Sequence, residues 1–412
     1  MIKEICRNLD YTLLLTVVML IIIGIIMIHS ASTGENIESS GVWKKQIFWA
    51  FFSLVIMLAM VPIPQKFLYA FSYVFYGVGL LLLILTELYG AIGGGSERWL
   101  VFGPVRFQPS EFMKIATIFT LARFLSYKKN RPTSYTKCIV PFLIICVPMI
   151  LVRMQPDLGT SLVFGALVLP MLYWAGLDIV RIFFLIAPVL SAIFTAPFIP
   201  ISNPVLWAVF MFILLSLLFY SRYRLPVMGI IIGTNILAGI ATPYVFTHLE
   251  PYQQRRITTI FNPEADPLDS GYQLINSKIA IGSGGLLGKG VGKGPYTELG
   301  FLPRAHTDFI FSVIGEELGF VGSVFILGLL FFIVYRGVMI ATEVKNPFFS
   351  IAAIGIATVF MFHMFVNISM VLGLMPVTGL PLPFLSYGGS SCLSNAVMVG
   401  LLLNFKVHRH EF

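Results

Sequence analysis

The stretch Asn262-Pro-Glu-Ala-Asp-Pro-Leu-Asp-Ser-Gly-Tyr-Gln273 carries two carboxylates, Asp266 and Asp269, with prolines at 263 and 267. Proline fixes φ and removes an N–H, so the backbone around Asp266 is stiff and non-helical. A carboxylate held that rigidly can act as a general base toward a hydroxyl group. An Asx-type turn accounts for the same residue types equally well. Glu111 and Lys114 stand at i and i+3, close enough on one helical face to neutralise each other or to meet a substrate together. Gln155-Pro-Asp157-Leu-Gly-Thr160 marks a helix break, and Asp157 is placed to cap the helix that follows. Asp308, Ser312 and Glu316 recur at i, i+4, i+8, with Glu317 beside them and His363 and Asn367 available from the next apolar run. Such a stripe predicts a polar interior cavity, which suits a proton-coupled transporter as well as an enzyme.

Other chemistries fail on spacing. Gly282-Ser-Gly-Gly-Leu-Leu-Gly-Lys-Gly290 departs from the phosphate-loop pattern at both ends, since Ser283 stands where its first glycine belongs and Gly290 follows the lysine. A flexible turn is the expected reading. No zinc-ligand spacing and no Gly-x-Ser-x-Gly nucleophile elbow occurs, and the four cysteines (6, 138, 146 and 392) suggest no disulfide framework.

The elements that must position these residues are apolar. Of 412 residues, 57% are hydrophobic and 11% charged, against roughly 25% charged in a soluble domain. That excludes an ordinary soluble enzyme, a disordered chain and a nucleic-acid binder with a charged face. A helix crosses the hydrocarbon with about 20 apolar residues, about 17 at the least. By that measure spans are expected near 11–30, 46–62, 68–88, 109–126, 138–153, 159–176, 182–200, 206–222, 226–248, 307–335, 348–372 and 389–405. The first is too long for a signal-peptide core and reads as a retained span. The fold class is thus an all-α polytopic membrane protein of 10–12 transmembrane helices, organised as one integral domain over 1–412.

Basic residues set the orientation. With a cytoplasmic N-terminus, the inside holds Lys3, Arg7, Lys66, Arg123, Lys128, Lys129, Arg131 and Lys137, followed by basic residues at 181, 222, 224, 336, 345, 406 and 409. The short outside segments hold only Lys44, Lys45, Arg98, Arg106 and Arg153. Both termini therefore face the cytoplasm, and the polar segment 249–306, before the last three spans, is extracytoplasmic. The net charge of +8 fits loops that meet anionic membrane lipids. Within that segment, residues 272–281 suit a short amphipathic helix.

Taken together, five segments resemble the SEDS family (shape, elongation, division and sporulation), in particular its RodA branch. They are Arg98-Trp99 with Gln108-Pro-Ser-Glu-Phe-Met-Lys114; Gln155-Pro-Asp-Leu-Gly159; Asp266-Pro-Leu-Asp-Ser-Gly-Tyr-Gln273 through Lys278-Ile-Ala-Ile-Gly-Ser-Gly-Gly285; His306-Thr-Asp-Phe-Ile-Phe311 with Gly315-Glu-Glu-Leu-Gly319; and Leu380-Pro-Leu-Pro-Phe-Leu-Ser-Tyr-Gly-Gly-Ser390. The resemblance implies a peptidoglycan glycosyltransferase of cell elongation that joins lipid II units outside the bacterial cytoplasmic membrane, a lipid II flippase being the alternative. It places the family's essential aspartate on Asp266 and its sensitive tryptophan on Trp99. It also implies a class B penicillin-binding protein as partner. Substrate contacts are expected from Arg98, Trp99, Glu111, Lys114, Gln155, Asp157, Lys278, His306 and Asp308.

The implied reaction is an inverting sugar transfer. Its pyrophosphate leaving group needs positive charge nearby, for which Arg98, Lys114, Lys278 and Lys289 are the candidates. A divalent cation such as Mg2+ is compatible with that leaving group, but no ligand cluster encodes a site for it, and no nucleic-acid partner is expected. Two departures from the family pattern stand out. Twelve spans are marked where ten are usual, and Asp269 takes the place of a glycine in the usual Pro-x-Gly.

Overall fold

The structure, a computed structural model, describes residues 7–33, 41–93, 96–102, 105–197, 202–221, 223–249, 254, 258, 270–302 and 305–410. Asp266 and Asp269 lie outside the described residues. All twelve apolar runs fall on helices. The chain begins with α1 (Tyr11–Thr33), α2 (Val42–Met60) and α3 (Gln65–Tyr89). A small antiparallel ribbon follows, made of β1 (Ala91–Gly93), β2 (Ser96–Phe102) and β3 (Val105–Phe107). Next come α4 (Pro109–Ser126), α5 (Tyr135–Met154), α6 (Leu158–Trp174), α7 (Ile179–Thr195), α8 (Pro204–Tyr220) and α9 (Leu225–Thr247). The segment expected outside the membrane contains α10 (Ser270–Ser283) and a single turn, α11 (Pro295–Glu298). The chain closes with α12 (Ile310–Glu343), α13 (Pro347–Val371) and α14 (Gly389–Val407).

Eight of these helices are long and apolar enough to cross a membrane: α1, α2, α3, α5, α9, α12, α13 and α14. Helices α6, α7 and α8 have 17 residues each, at the lower limit for a span. Helix α4 is diluted by Glu111, Lys114 and Arg123. The protein is an all-α multi-pass membrane protein.

The described residues divide into two compact units. One comprises Leu177–Ile275 and Gly373–Val377. Within it α7 packs on α8 and α9. Trp207 on α8 donates to Ser191 Oγ on α7 (2.7 Å), and Ser191 donates to the Asn235 carbonyl on α9 (2.8 Å).

The other unit comprises Met1–Gly176, Asn276–Leu372 and Thr378–Phe412. Its core is α13, which packs against α4, α6, α12 and α14. Ala352, Ala353, Gly355 and Ala357 on α13 are buried, and small residues let helix backbones approach closely. A Cβ on Gly355 would lie 2.7 Å from Ile118 Cγ2 of α4. Between α13 and α14 the chain re-enters the protein as extended and turned backbone, with Leu380, Leu382, Phe384 and Leu385 buried. Two glycines admit it, since a Cβ on Gly159 or on Gly24 would come within 2.5 Å of the Thr378 or the Phe384 carbonyl. Irregular backbone at this depth is tolerated because protein encloses it.

Helix α12 is broken at Gly319 (φ 65°, ψ −164°), and the glycine-rich loop after α10 is spliced into the break. In an unbroken helix the Phe320 N–H would pair with the Glu316 carbonyl and the Val321 N–H with that of Glu317. Here Phe320 and Val321 donate to the carbonyls of Gly285 (2.9 Å) and Leu286 (3.1 Å). The Glu316 and Glu317 carbonyls accept instead from Lys289 (3.1 Å) and Gly290 (3.0 Å). Residues 284–290 are therefore a backbone clamp, where a flexible turn was expected.

The glycines are required by contact as well as conformation. Gly288 has φ +78°, and a Cβ there would sit 2.1 Å from the Glu317 carbonyl oxygen. Gly288→Ala should cost at least about 3 kcal/mol, combining left-handed strain with overpacking. Thermal unfolding in detergent measures this. Gly282→Ala is the control, because nothing lies within 4 Å of its Cβ position. Equal melting of the two variants would refute the splice as a rigid element.

Candidate active site

The re-entrant segment, the β-ribbon and the starts of α4, α6 and α12 surround a cavity of about 680 Å³. Arg98, Trp99 and Arg106 come from the ribbon, where Val101 pairs with Arg106 and Leu100 with Phe107. Gln108 and Glu111 come from the start of α4, which Pro109 opens as a first helical residue without an N–H to satisfy. Asp157 and Thr160 come from α6; His306, Thr307 and Asp308 from the turn before α12; Gly379, Pro381, Tyr387, Gly388 and Ser391 from the re-entrant segment and the start of α14.

Asp157 caps α6 as expected. Oδ1 accepts from the Thr160 N–H (3.0 Å) and Oδ2 from the Thr160 hydroxyl (2.9 Å). Oδ2 also accepts from Gln108 Nε2 (3.3 Å) and lies 3.7 Å from Arg98 Nη1. Arg98 Nη2 donates to the Pro156 carbonyl (2.6 Å), so Asp157 orients that guanidinium while holding the helix start. Replacing Asp157 with Ala should lower stability by about 1 kcal/mol, the usual cost of a lost N-cap. Asp157→Asn, which retains the acceptor, should recover most of it in the same unfolding measurement.

Glu111 and Lys114 form the expected ion pair, with Lys114 Nζ 2.9 Å from Glu111 Oε1, and both are buried. Glu111 Oε2 accepts from the Ser394 hydroxyl (2.7 Å). Lys114 Nζ also lies 3.2 Å from His363 Nε2, and His363 Nδ1 lies 3.1 Å from the Pro381 carbonyl. A carbonyl only accepts, so Nδ1 carries the proton and Nε2 accepts from the ammonium. A network of four side chains thus runs from the cavity wall into the core. Asn367 Nδ2 donates to the carbonyls of Asp308 (2.9 Å) and Leu380 (2.7 Å), tying both cavity-lining loops to α13. Tyr387 packs edge-on to His306 and donates its N–H to the His306 carbonyl (2.9 Å).

Of the residues expected at the site, Arg98, Trp99, Glu111, Asp157, His306 and Asp308 line this cavity, with Lys114 directly behind Glu111. Gln155 does not line it; it is buried and donates to the Leu83 carbonyl (2.9 Å). Lys278 is exposed on α10 and is not among the lining residues. The Asp308–Ser312–Glu316 stripe is divided. Phe309 is the N-cap of α12, so Asp308 lies outside the helical phase. Ser312 bonds to Ser277 (2.8 Å), and Glu316 accepts from Tyr296 and Thr297. Sequence reasoning gave no role to Arg106, Thr160, Thr307, Tyr387 or Ser391. Tyr387 falls in a motif quoted above, and Arg106 was visible as one of few basic residues in the segments expected outside. Among the described residues no group of three or more His, Cys, Asp or Glu could hold a metal ion.

The arrangement presents two guanidiniums, hydroxyls and a carboxylate edge in a polar hollow set into an apolar helical body. That suits a ligand with sugar hydroxyls and an anionic group. The sequence model of the FtsW, RodA and SpoVE cell cycle proteins (FTSW_RODA_SPOVE) matches residues 11–206 and 202–411. The chain belongs to this family. The peptidoglycan glycosyltransferase MrdB of Escherichia coli K12 is 36% identical over 402 residues, covering 98% of this chain and 94% of MrdB. The peptidoglycan glycosyltransferase RodA of Treponema pallidum is 35% identical over 438 residues, covering 98% of each. Among solved structures, a chain from a peptidoglycan synthase complex superposes with a TM-score of 0.74 at 26% identity, covering 98% of this chain and 99% of that one. The rod shape determining protein RodA of Thermus thermophilus gives 0.63 at 25% identity, covering 98% of each. These relatives match the chain nearly from end to end, so the fold is shared over its whole length.

Proposed function

We propose that the chain is a peptidoglycan glycosyltransferase that joins lipid II units outside the bacterial cytoplasmic membrane during cell elongation. The observation that carries this reading is the near full-length likeness to MrdB and RodA, both named peptidoglycan glycosyltransferases. The polar residues of the cavity support binding of a ligand with sugar hydroxyls and an anionic group. Both termini lie in the cytoplasm on this reading, and Asp266 lies outside. Asp266 takes the proton from the 4-hydroxyl of the acceptor's N-acetylglucosamine. The freed oxygen attacks the anomeric carbon of the donor's N-acetylmuramic acid with inversion, and undecaprenyl pyrophosphate departs with the bonding pair. A good leaving group needs no acid, unlike the two-carboxylate arrangement of ordinary glycosidases.

Arg98 and Arg106 are the cavity's cations for the developing pyrophosphate charge. Lys114 acts through Glu111, since it is 0% exposed. Lys289 is engaged by Ser283 (2.9 Å) and Glu316 (3.8 Å), and so is not assigned to the leaving group. Trp99, His306 and Asp308 contact the sugars. With no protein ligand set among the described residues, no step is assigned to a divalent cation such as Mg2+. The partner is a class B penicillin-binding protein that crosslinks the product, in keeping with the neighbour structure's subject of polymerization and crosslinking in one complex.

The test is incubation of the purified protein with lipid II in detergent, alone and with that partner, and separation of products on a gel. A ladder of glycan chains is expected. No ladder in either case, with lipid II transport in liposomes, would replace this reading with a flippase.

A further inference from the structure

Glu316 has no part in the chemistry proposed above, yet its carboxylate is fully buried and fully engaged. Oε1 accepts from the Tyr296 N–H (2.9 Å), and Oε2 accepts from the Thr297 N–H (3.1 Å) and hydroxyl (2.8 Å). Lys289 Nζ stands 3.8 Å from Oε1. Gly294 makes the room, since a Cβ there would fall 2.6 Å from Oε2. The Glu316 carbonyl, meanwhile, accepts the Lys289 N–H in the splice. One residue therefore fastens the chain at 289 through its backbone and at 296–297 through its side chain. From α11 the chain passes Phe301, whose carbonyl accepts from Asn276 Nδ2 (3.2 Å). It then reaches His306, Thr307 and Asp308 on the cavity wall and returns along α12 to Glu316. Residues 289–302 and 305–316 belong to a stretch closed at its base by Glu316, and the cavity-lining triplet rides on it.

We propose that Glu316 is a positioning residue for the cavity: by closing that stretch at its base it fixes where His306, Thr307 and Asp308 stand relative to Glu111 and Asp157. The proposal rests on the glycosyltransferase reading only for its activity readout. The choice of a carboxylate is physical. Hydrogen bonds to an ionised acceptor are roughly twice as strong as neutral ones. One carboxylate also satisfies two backbone donors that an apolar residue would leave orphaned in the interior.

The test uses the full-length protein and Glu316→Gln, which keeps the side chain's size but turns an amide NH2 toward an N–H donor. Hydrogen exchange is followed by mass spectrometry over 289–298 and 305–309, alongside lipid II turnover. Exchange should rise roughly tenfold in both segments, and kcat should fall roughly tenfold with KM changed less than about twofold, the scale of a lost charge-assisted hydrogen bond. Unchanged exchange over 305–309 overturns the proposal whatever the turnover does. Faster exchange there with unchanged kcat overturns it equally. A wild-type protein that makes no glycan defeats the glycosyltransferase reading, and exchange over 305–309 then decides the positioning role alone. If Glu316→Gln does not fold, Thr297→Val removes one of the three bonds and is read by the same measurements and outcomes.

Discussion

Asp266→Asn should leave folding and lipid II binding as in the wild type while lowering glycan polymerisation by about two to four orders of magnitude, the usual contribution of a positioned general base. Asparagine keeps the size and one acceptor oxygen of aspartate but cannot take a proton. The acceptor hydroxyl must lose its proton as the new glycosidic bond forms, and the pyrophosphate leaves without receiving one. On the proposed mechanism the whole proton balance of the step therefore falls on Asp266. Prolines 263 and 267 limit how far the backbone can move to present a substitute. Asp269 is the nearest alternative base in sequence, so Asp269→Asn is the matching variant. It should reduce activity far less, since the base role is proposed for Asp266 alone. Single-turnover formation of the first glycosidic bond reads both variants. Long glycan chains from Asp266→Asn would remove the base assignment. Equal loss from both variants would make the carboxylates a pair acting together.

What could be read in the sequence divides by the range of the interactions involved. The twelve helices were legible because each is a local run of apolar residues, and the hydrocarbon enforces that pattern one segment at a time. The Glu111–Lys114 pair was legible because three residues separate the partners on one helix. The Asp157 cap was legible because cap and recipient are also three residues apart. The Gly319 break was not. Gly284, Gly288 and Gly319 are glycines because residues about thirty positions away in sequence pass within van der Waals contact, and no local pattern reports that. Glu316 was misplaced for a related reason. Its helical phase with Asp308 exists in the sequence, but α12 begins only at Ile310 and the carboxylate is taken by a turn that folds back on it. Gln155 shows the same limit, since the carbonyl that accepts from it belongs to Leu83, two helices earlier. Local signals found most residues of the cavity wall, and tertiary contacts decided which polar groups were already spoken for.

Lys114→Met, directly behind the cavity wall, should be strongly destabilising. Methionine has nearly the length of lysine and fills the same space, so little is lost in packing. What remains is the Glu111 carboxylate, 2% exposed, with Ser394 as its hydrogen-bond donor and no cation beside it. Breaking a buried pair from one side typically costs about 3–5 kcal/mol. His363 makes this site worse, because its Nε2 loses its donor in the same step. The double variant Glu111→Gln with Lys114→Met removes both charges together, and it should regain most of the lost stability. Replacing a buried ion pair with neutral groups of similar volume is often close to neutral.

The comparison separates two roles for the pair. If its purpose is stability, the double variant should remain as unstable as the single one. If it sets the orientation of Glu111 at the cavity wall, stability should return while glycan polymerisation does not. The second outcome is expected, since a neutral pair can pack α4 against α13 but cannot hold a charged edge beside Asp157 and Arg98. Unfolding midpoints of the wild type, the two single variants and the double variant form a complete cycle. A coupling energy near zero in that cycle would show that Glu111 and Lys114 act independently despite the 2.9 Å between them.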